Sequence, residues 1–185
     1  MRIITGSLKG RKINIPKGLD VRPTADRTKE SMFNIIEVRK YLKGARILDL
    51  FAGSGNLGFE AISRGAESVL FVDYSSENIK LIEKNASQFG VEKQVRSRVS
   101  DIQDFLQSPV IAYDFIFCDP PYEYAWMLEM IEEILNNKWL KDDGWFMLEH
   151  DKRHRFSDHP HCFFSKAYGR TTVSIFQAQP VDSHT

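Results

Sequence analysis

Short apolar runs alternate with amphipathic segments through the middle of the chain. Strands are predicted at 46–51, 68–73, 94–99, 112–118 and 144–149, and the apolar run that ends at Cys118 has the hydrophobicity of a buried parallel strand. The segments between them carry apolar residues at helical spacing, which predicts helices at 56–64, 77–89, 101–107 and 124–136. This alternation predicts an α/β fold with a mostly parallel sheet and helices on both faces.

The two ends of the chain follow other patterns. Two strand-like runs, 162–168 and 171–177, flank Gly169-Arg170 and predict an antiparallel hairpin at one edge of a seven-stranded sheet. At the start, residues 1–15 alternate loosely around a glycine-containing turn and predict a β-hairpin extension. A helix is expected from about Asp26 to Leu42, with Thr24 or Asp26 as its N-cap.

The length of 185 residues suits one domain with a small appendage. We expect residues 1–25 to form a basic arm and connector, and residues 26–185 to form the main domain. Hydrophobic residues make up 42% of the chain and charged residues 27%, which is enough to bury a core. The chain has neither an apolar run of about 18 residues nor a signal-like start, so a cytoplasmic protein is expected.

The spacing of metal-ligating residues predicts no metal site. Cys118 and Cys162 lie far apart, so they indicate neither a disulfide framework nor a metal-binding pair. The tail histidines are expected to be surface residues, because their spacing fits no helical metal site. They are His150, His154, His159 and His161.

Charge is distributed unevenly although the net charge is zero. The first 29 residues contain eight bases and two acids, a net charge of +6, so the remainder carries −6. This asymmetry indicates an arm that faces a polyanion, although an ordinary solvated hairpin remains the alternative.

A carboxylate, two prolines and an aromatic side chain follow the fourth predicted strand, as Asp119-Pro120-Pro121-Tyr122. Prolines fix φ and supply no N–H, so the carbonyls of Asp119 and Pro120 can be held in one direction. A carboxylate beside a carbonyl presents acceptors without donors, which suits an amino group, and Tyr122 offers a flat face for a ring. A simple Pro-Pro loop beside a surface tyrosine is the alternative reading.

Three glycines follow the first strand in the order G-x-G-x-x-G, namely Gly53, Gly55 and Gly58. With Asp73 at the end of the next strand to accept ribose hydroxyls, this pattern predicts a nucleoside-bearing ligand. Asp49, shortly before the glycines, would repel the pyrophosphate of a dinucleotide and attract a cationic amino group. S-adenosylmethionine combines an adenosine with an ammonium, so it is the expected cofactor.

The adenosine end of such a cofactor would meet residues that follow the second and third strands. Tyr74 would lie against the adenine, and Asp101 would accept from its amino group with the N–H of Ile102 nearby. Asp73 and Asp101 both follow strands at the carboxyl edge of the sheet, where parallel sheets bind their ligands. The alternatives are an ordinary strand-end residue for Asp73 and a helix cap for Asp101.

These pieces together resemble the Rossmann-fold methyltransferases that use S-adenosylmethionine. More closely, the chain is similar to the RsmD family of bacterial 16S ribosomal RNA guanine-N2 methyltransferases. The resemblance covers nearly the whole chain, and the stretches that carry it are 2–7, 9–11, 22–24, 27, 30, 33–34, 48–55, 63–66 and 119–122. Cys118 and Asn56 are departures from the pattern that look tolerated.

The resemblance implies methyl transfer to the exocyclic amine of one guanine, near position 966 of the 16S chain. Asp119, Pro120, Pro121 and Tyr122 are the implied catalytic residues, and the segment around Arg22 and Thr24 would help to close the cofactor pocket. The expected cofactor-binding residues are Asp49, Phe51, Ala52, Gly53, Ser54, Gly55, Gly58, Asp73, Tyr74, Asp101, Ile102, Arg22 and Thr24.

The expected partner is 16S ribosomal RNA within a small-subunit assembly particle, bound by a monomeric protein. The residues expected to hold its phosphates are Arg2, Lys9, Arg11, Lys12, Arg22 and Arg27. Two other functions remain open: a DNA N6-adenine methyltransferase, which would also use a DPPY loop, and a non-catalytic RNA-binding module.

Overall fold

The computed structural model describes residues 1–18 and 23–182, and it omits the side chains of 23–25. Its described part is built on a seven-stranded sheet in the order β3-β2-β1-β4-β5-β7-β6. The first five strands run parallel, whereas β7 pairs antiparallel with both β5 and β6. The strands are β1 Arg46–Leu50, β2 Ser68–Asp73, β3 Val95–Val99, β4 Tyr113–Cys118, β5 Leu140–Asp151, β6 Cys162–Tyr168 and β7 Thr171–Gln177.

Helices cover both faces of the sheet, as the alternating pattern predicts. Apolar residues of α1, α2 and α3 pack on one face, and those of α4 and α5 pack on the other. The described helices are α1 Pro23–Arg39, α2 Asn56–Ser63, α3 Ser76–Phe89, α4 Ile102–Leu106 and α5 Met127–Asn136, with a 3₁₀ turn at Glu92–Gln94. The predicted α/β fold with an antiparallel edge is therefore confirmed.

Two predicted helix starts are wrong. The first helix begins at Pro23, ahead of Asp26, because proline suits the first turn of a helix. Thr24 and Asp26 therefore lie within the first turn and are not its N-cap. The fifth helix begins at Met127 and not at Tyr124, whose N–H donates to the carbonyl of Pro121 at 3.0 Å in a preceding turn.

The N-terminal hairpin is confirmed, although only the Arg2–Lys12 pair forms an antiparallel bridge. Buried Glu60 of α2 holds this hairpin on the body by accepting the N–H groups of Ile4 at 2.9 Å and Thr5 at 3.1 Å. The division of the chain at residue 25 stays a prediction, since the hairpin and the body share this buried carboxylate.

No helix within 1–18 or 23–182 has the length and apolarity that crossing a membrane requires.

Candidate active site

The loop between β1 and α2 is shaped by its glycines. Gly55 has φ 82°, a left-handed conformation that glycine adopts without steric cost. The N–H of Gly53 donates to Asp73 at 2.9 Å, and the N–H of Gly58 donates to Asp49 at 3.0 Å. The loop therefore ties the ends of β1 and β2 together through backbone donors.

Gly58 serves this loop by close packing. A Cβ atom at this position would lie 2.2 Å from the Phe71 ring, so α2 approaches β2 only because residue 58 has no side chain. This is the role of the third glycine in the G-x-G-x-x-G pattern. Gly58 therefore has a packing role and a bond to Asp49, and its place among the cofactor-binding residues stays a prediction.

Three acids share one face of the sheet at its carboxyl edge. Parallel pairing aligns Leu50 with Cys118, and Cys118 with Leu148, so Asp119 and Glu149 follow paired residues on neighbouring strands. Because side chains alternate along a strand, Asp49, Asp119 and Glu149 project to the face that α1–α3 cover. All three line one cleft of about 200 Å³.

Loss of water raises the pKa of each acid in this cleft. Burial raises the pKa of Asp49 well above its usual range, and the charges of Asp119 and Asp73 add to the shift against the hydrogen bond from Gly58. Burial likewise raises the pKa of Glu149 to about 8, with a further contribution from the charge of Asp119. The cleft is therefore strongly disposed to accept a cation or hydrogen-bond donors.

Asp119 lies at the mouth of the cleft. Its side chain remains exposed to solvent, while surrounding protein removes enough water to raise its pKa to about 6. Two facing carboxyl groups with raised pKa values share protons near neutral pH and titrate as a pair. Asp119 and Glu149 therefore carry less than two full negative charges before a ligand arrives.

The Asp-Pro-Pro-Tyr loop is tied to the antiparallel edge of the sheet. The hydroxyl groups of Tyr122 and Thr171 lie 3.1 Å apart, and the Thr171 hydroxyl also hydrogen-bonds Glu149. Tyr124 contacts Phe51 edge to face at 4.9 Å, and Phe51 has a positive φ of 55°. Tyr122 is thus partly exposed yet held at one end, as a stacking platform requires.

The residues predicted to hold adenosine lie along the neighbouring part of the edge. Asp73 is buried and accepts from Gly53, from the N–H of Ser75 and from the Asn78 amide, so ribose hydroxyls would use its remaining lone pairs. Tyr74 is 74% exposed, beside the open edge.

The two predicted residues that follow β3, Asp101 and Ile102, have structural roles besides the cofactor contacts predicted for them. Asp101 is exposed and accepts the N–H of Gln103 at 2.8 Å, so it caps α4. Ile102 is the first residue of α4, and its side chain is buried in the core.

Phe51, Ala52, Gly53 and Ser54 line the cleft with Asp49. Arg22 lies outside the described residues, as does the side chain of Thr24.

Most of the predicted phosphate contacts are exposed. Arg2, Lys9, Lys12 and Arg27 lie on the surface, and Arg11 is exposed over the ring of Phe89. The arm therefore presents its charge to solvent.

Lys29, counted in the sequence only as part of the basic segment, is 1% exposed. Its ammonium donates to the carbonyl of Arg2 at 2.6 Å and to Asn56 at 2.8 Å, and it lies 3.3 Å from Glu60. Burial lowers the pKa of Lys29, although the charge of Glu60 opposes that shift. With three acceptors around it, Lys29 is a tie between the arm, α1 and α2.

Sequence reasoning missed several residues that line the cleft. Glu149 ends an apolar run as Asp119 does, and this shared pattern was the available signal. The arm residues of the cleft are not marked by any sequence pattern, because their position depends on how the N-terminal hairpin packs on the body. The missed lining residues are Met1, Ile15, Pro16, Lys29, Asn56, Leu57, Asn78 and Glu149.

The cleft fits one part of the expected cofactor. Its volume is below the range of about 300–1,000 Å³ that holds a drug-sized ligand, so it suits the cationic amino acid portion beside Asp49. The adenosine would then follow the open edge past Asp73 and Tyr74. Within the described ranges, no three His, Cys, Asp or Glu residues are placed to hold a metal ion. The expectation that the tail histidines lie on the surface is wrong for His150, which is buried and hydrogen-bonds the Ser174 hydroxyl at 2.8 Å.

A larger hollow of about 540 Å³ lies elsewhere on the surface, around Arg64 and Gln94. It is shallow and borders the residues that precede β2 and β3, at the amino edge of the sheet. Ligands of open parallel sheets bind at the opposite, carboxyl edge. The smaller cleft is therefore the better candidate for the site.

Known proteins share this fold and sequence. The family model described as "Conserved hypothetical protein 95" matches residues 1–177. The protein YlbH of Bacillus subtilis is 35% identical over 183 residues, covering 96% of this chain and 98% of YlbH. Ribosomal RNA small subunit methyltransferase D of Escherichia coli K12 is 33% identical over 151 residues, covering 80% of this chain and 74% of that protein.

A solved structure gives the same relationship. The Escherichia coli protein yhhF superposes with a TM-score of 0.85 at 28% identity, covering 98% of this chain and 99% of that one. The agreement thus extends over the arm, the sheet and the antiparallel edge. The chain belongs to the family of ribosomal RNA small subunit methyltransferase D, the one that the "Conserved hypothetical protein 95" model describes.

Proposed function

We propose that this protein transfers a methyl group from S-adenosylmethionine to the N2 amine of one guanine in 16S ribosomal RNA. Methylation of ribosomal RNA is the activity of the family to which the chain belongs. The choice of guanine and of N2 is our inference. The observation that carries it is the placement of Asp119 and Asp49 in one cleft, an amine-binding loop beside a cation-binding acid.

The cofactor would be held by its charges and its ribose. Asp49 would accept the ammonium, and the cation would relieve the cost of burying this carboxylate. Gly53 and Gly55 let the backbone approach closely, and Asp73 accepts ribose hydroxyls. When bound, S-adenosylmethionine supplies an electrophilic methyl group on a positively charged sulfur.

The DPPY loop would hold and orient the target amine. The lone pair of guanine N2 is delocalised into the ring, so the amine is a poor nucleophile. Asp119 and the Pro120 carbonyl can each accept one N–H, which turns the lone pair away from the ring and towards the cleft. Positioning and electrostatic stabilisation then provide most of the rate enhancement.

The RNA would be bound by stacking and by charge. Tyr122 would stack on the base, a contact worth about 1–3 kcal/mol in single-stranded complexes. A paired guanine must first leave its helix to reach this ring. The exposed bases of the arm would hold phosphates, so affinity should fall as salt increases.

We place the reaction in the cytoplasm, on a small-subunit assembly particle, with the protein acting as a monomer. The reason for the cytoplasmic location is the proposed substrate, because bacterial ribosomal subunits are assembled in the cytoplasm.

The test is methylation of naked 16S RNA and of small subunits prepared from cells that lack this protein. We expect incorporation from labelled S-adenosylmethionine and N2-methylguanosine on nucleoside mass spectrometry. Methylation of adenine in duplex DNA, without RNA methylation, would replace this function with the DNA alternative. Absence of S-adenosylmethionine binding by calorimetry would favour a non-catalytic RNA-binding module.

A further inference from the structure

Glu149 is the one acid of the cleft with no role in the function described so far. It follows Leu148 on β5, as Asp119 follows Cys118 on β4, and these two preceding residues are paired. Neighbouring strands lie about 4.8 Å apart, so the two carboxyl groups face a space that one purine edge can bridge. Glu149 thus lies beside the amine-binding loop, on the side away from Asp49.

We propose that Glu149 recognises the target base by accepting the N1–H of guanine while Asp119 and the Pro120 carbonyl hold the adjacent N2 amine. The proposal rests on the proposed function and names the residue that selects guanine. It makes Glu149 a specificity-determining residue, which contacts the base and takes no part in bond making.

The hydrogen-bonding pattern of the bases favours this assignment. Guanine presents N1–H beside the N2 amine, so the part of its Watson–Crick edge next to O6 is a row of donors. The part of the cleft formed by Asp119, Glu149 and the Pro120 carbonyl is a row of acceptors. Adenine presents an unprotonated N1 beside its amine. Once the cationic cofactor favours the ionised form of Glu149, that lone pair would face the carboxylate without a hydrogen between them. A buried polar group left unpaired in this way discriminates strongly between substrates.

Binding of the cofactor and the base should favour the ionised form of Glu149, which is the form that accepts a hydrogen bond from N1–H. Burial and the charge of Asp119 hold part of the Glu149 population protonated in the free protein. The other charged groups that face it are Asp49 on β1 and Lys29 on α1, and Lys29 is already paired with Glu60. A cationic cofactor and a donor-rich base both favour the ionised carboxylate, so binding of the two ligands should release protons.

The contact with Thr171 gives Glu149 an alternative role, which the experiment must distinguish from contact with the base. Its hydroxyl hydrogen-bonds Glu149 and lies 3.1 Å from that of Tyr122, so Glu149 could act by orienting the tyrosine. Thr171→Val removes this link and leaves the carboxylate in place. It is therefore the matched control for Glu149→Gln, which keeps the shape of the side chain and removes its charge.

The test uses RNA that carries either guanine or 2-aminopurine at the target position. 2-Aminopurine keeps the reacting amine but has no hydrogen on N1. The wild-type protein should prefer guanine by at least about tenfold in kcat/KM. Glu149→Gln should lower kcat/KM for guanine about tenfold, since a neutral acceptor replaces a charged one. Its activity on 2-aminopurine should not fall, because the glutamine amide can donate to N1.

Each outcome bears on the proposal. A collapsed guanine preference in Glu149→Gln, with the preference intact in Thr171→Val, supports it. Equal losses on both bases, or the same change in both variants, would mean that Glu149 only positions Tyr122. A wild-type protein that methylates neither base but methylates adenine would overturn both the function and this role. Calorimetry in buffers of different ionisation enthalpy adds a second readout, with fewer protons released by Glu149→Gln.

Discussion

The carboxyl edge of the sheet has two halves that treat their acids differently. In the half that we propose holds the cofactor (the cofactor half), at the ends of β1, β2 and β3, each acid already accepts at least one backbone N–H, as Asp49, Asp73 and Asp101 do. In the half that we propose holds the substrate (the substrate half), Asp119 and Glu149 follow paired strands and have raised pKa values, and the Thr171 hydroxyl hydrogen-bonds Glu149.

This difference teaches how one edge can serve two ligands. Backbone donors hold the cofactor half in a defined shape before binding, which lowers the ordering cost of binding. The substrate half instead keeps acceptors that gain strength when a donor-rich edge arrives and water leaves. On the proposed function, the first half is ordered by its own hydrogen bonds before binding, and the second would be completed by its ligand.

The largest expected effect separates the two halves directly. Asp119→Ala should lower kcat by about 10²–10³-fold, because it removes an acceptor used when the amine reacts. The Kd for S-adenosylmethionine should change little, since Asp119 belongs to the substrate half. Single-turnover assays and calorimetry measure the two quantities.

Glu123→Ala is the matched control, because Glu123 is an exposed acid next to the same loop. Its kcat should stay near the wild-type value. Equal activity of Asp119→Ala and the wild-type protein would contradict the assigned role.

The next effect concerns the buried contacts of Lys29, which join the arm to α1 and α2 behind the cofactor half. Lys29→Met removes a buried ammonium that lies beside Glu60 and contacts both the arm and Asn56. We expect a loss of about 3 kcal/mol in the free energy of unfolding, as for other broken buried pairs, measured by urea denaturation.

Lys141→Met is the comparison variant, because its pair with Asp114 is partly exposed. It should cost no more than about 1 kcal/mol. If both variants lost the same stability, the buried tie between the arm and α2 would have no special importance.

A smaller effect concerns the cofactor alone. Asp49→Asn keeps an acceptor for the N–H of Gly58 and removes the charge that would meet the ammonium. Affinity for S-adenosylmethionine should fall about tenfold or more, as expected for a lost charge-assisted hydrogen bond. An unchanged Kd in calorimetry would show that the cation lies elsewhere.

The smallest effect is on stability as a function of pH. Burial raises the pKa of Glu149 from 4.5 to about 8, so between these values the folded state keeps a proton that the unfolded state releases. Stability therefore falls as pH rises through this window.

Glu149→Gln removes this contribution, so its Tm should exceed that of the wild-type protein by a few °C at pH 8 and match it more closely at pH 5. Thermal scans across this range measure the difference, with Glu123→Gln as the exposed control. A Tm difference that is independent of pH would mean that Glu149 is already ionised in the folded protein.

Hydrophobic patterning predicted the elements well because the central strands are largely apolar, although β3 at the sheet edge is more polar. The bounds of β2, β6 and β7 agree with the predicted 68–73, 162–168 and 171–177. The helix starts were predicted less well. The turn at Tyr124 depends on a backbone bond to Pro121, whereas the start at Pro23 follows a proline preference that the sequence contains.

The site was partly predictable for the same reason. Asp49 and Asp119 stand out because each interrupts or ends a buried run, and the prolines after Asp119 mark it further. Glu149 also ends a buried run but has no motif around it, so nothing local distinguished it from an ordinary strand end. Lys29 reads as one more exposed base, because its burial depends on Glu60 in another helix.

The sequence by itself determined which residues end the strands and on which face they project, because side chains alternate along each strand. It also determined the glycine loop, since only residues without Cβ permit the approach of α2 to Phe71. Only the tertiary structure decided which strand ends are neighbours. The order β2-β1-β4-β5 places Asp49, Asp119 and Glu149 in one cleft, and that order arises from long-range pairing that no local pattern contains.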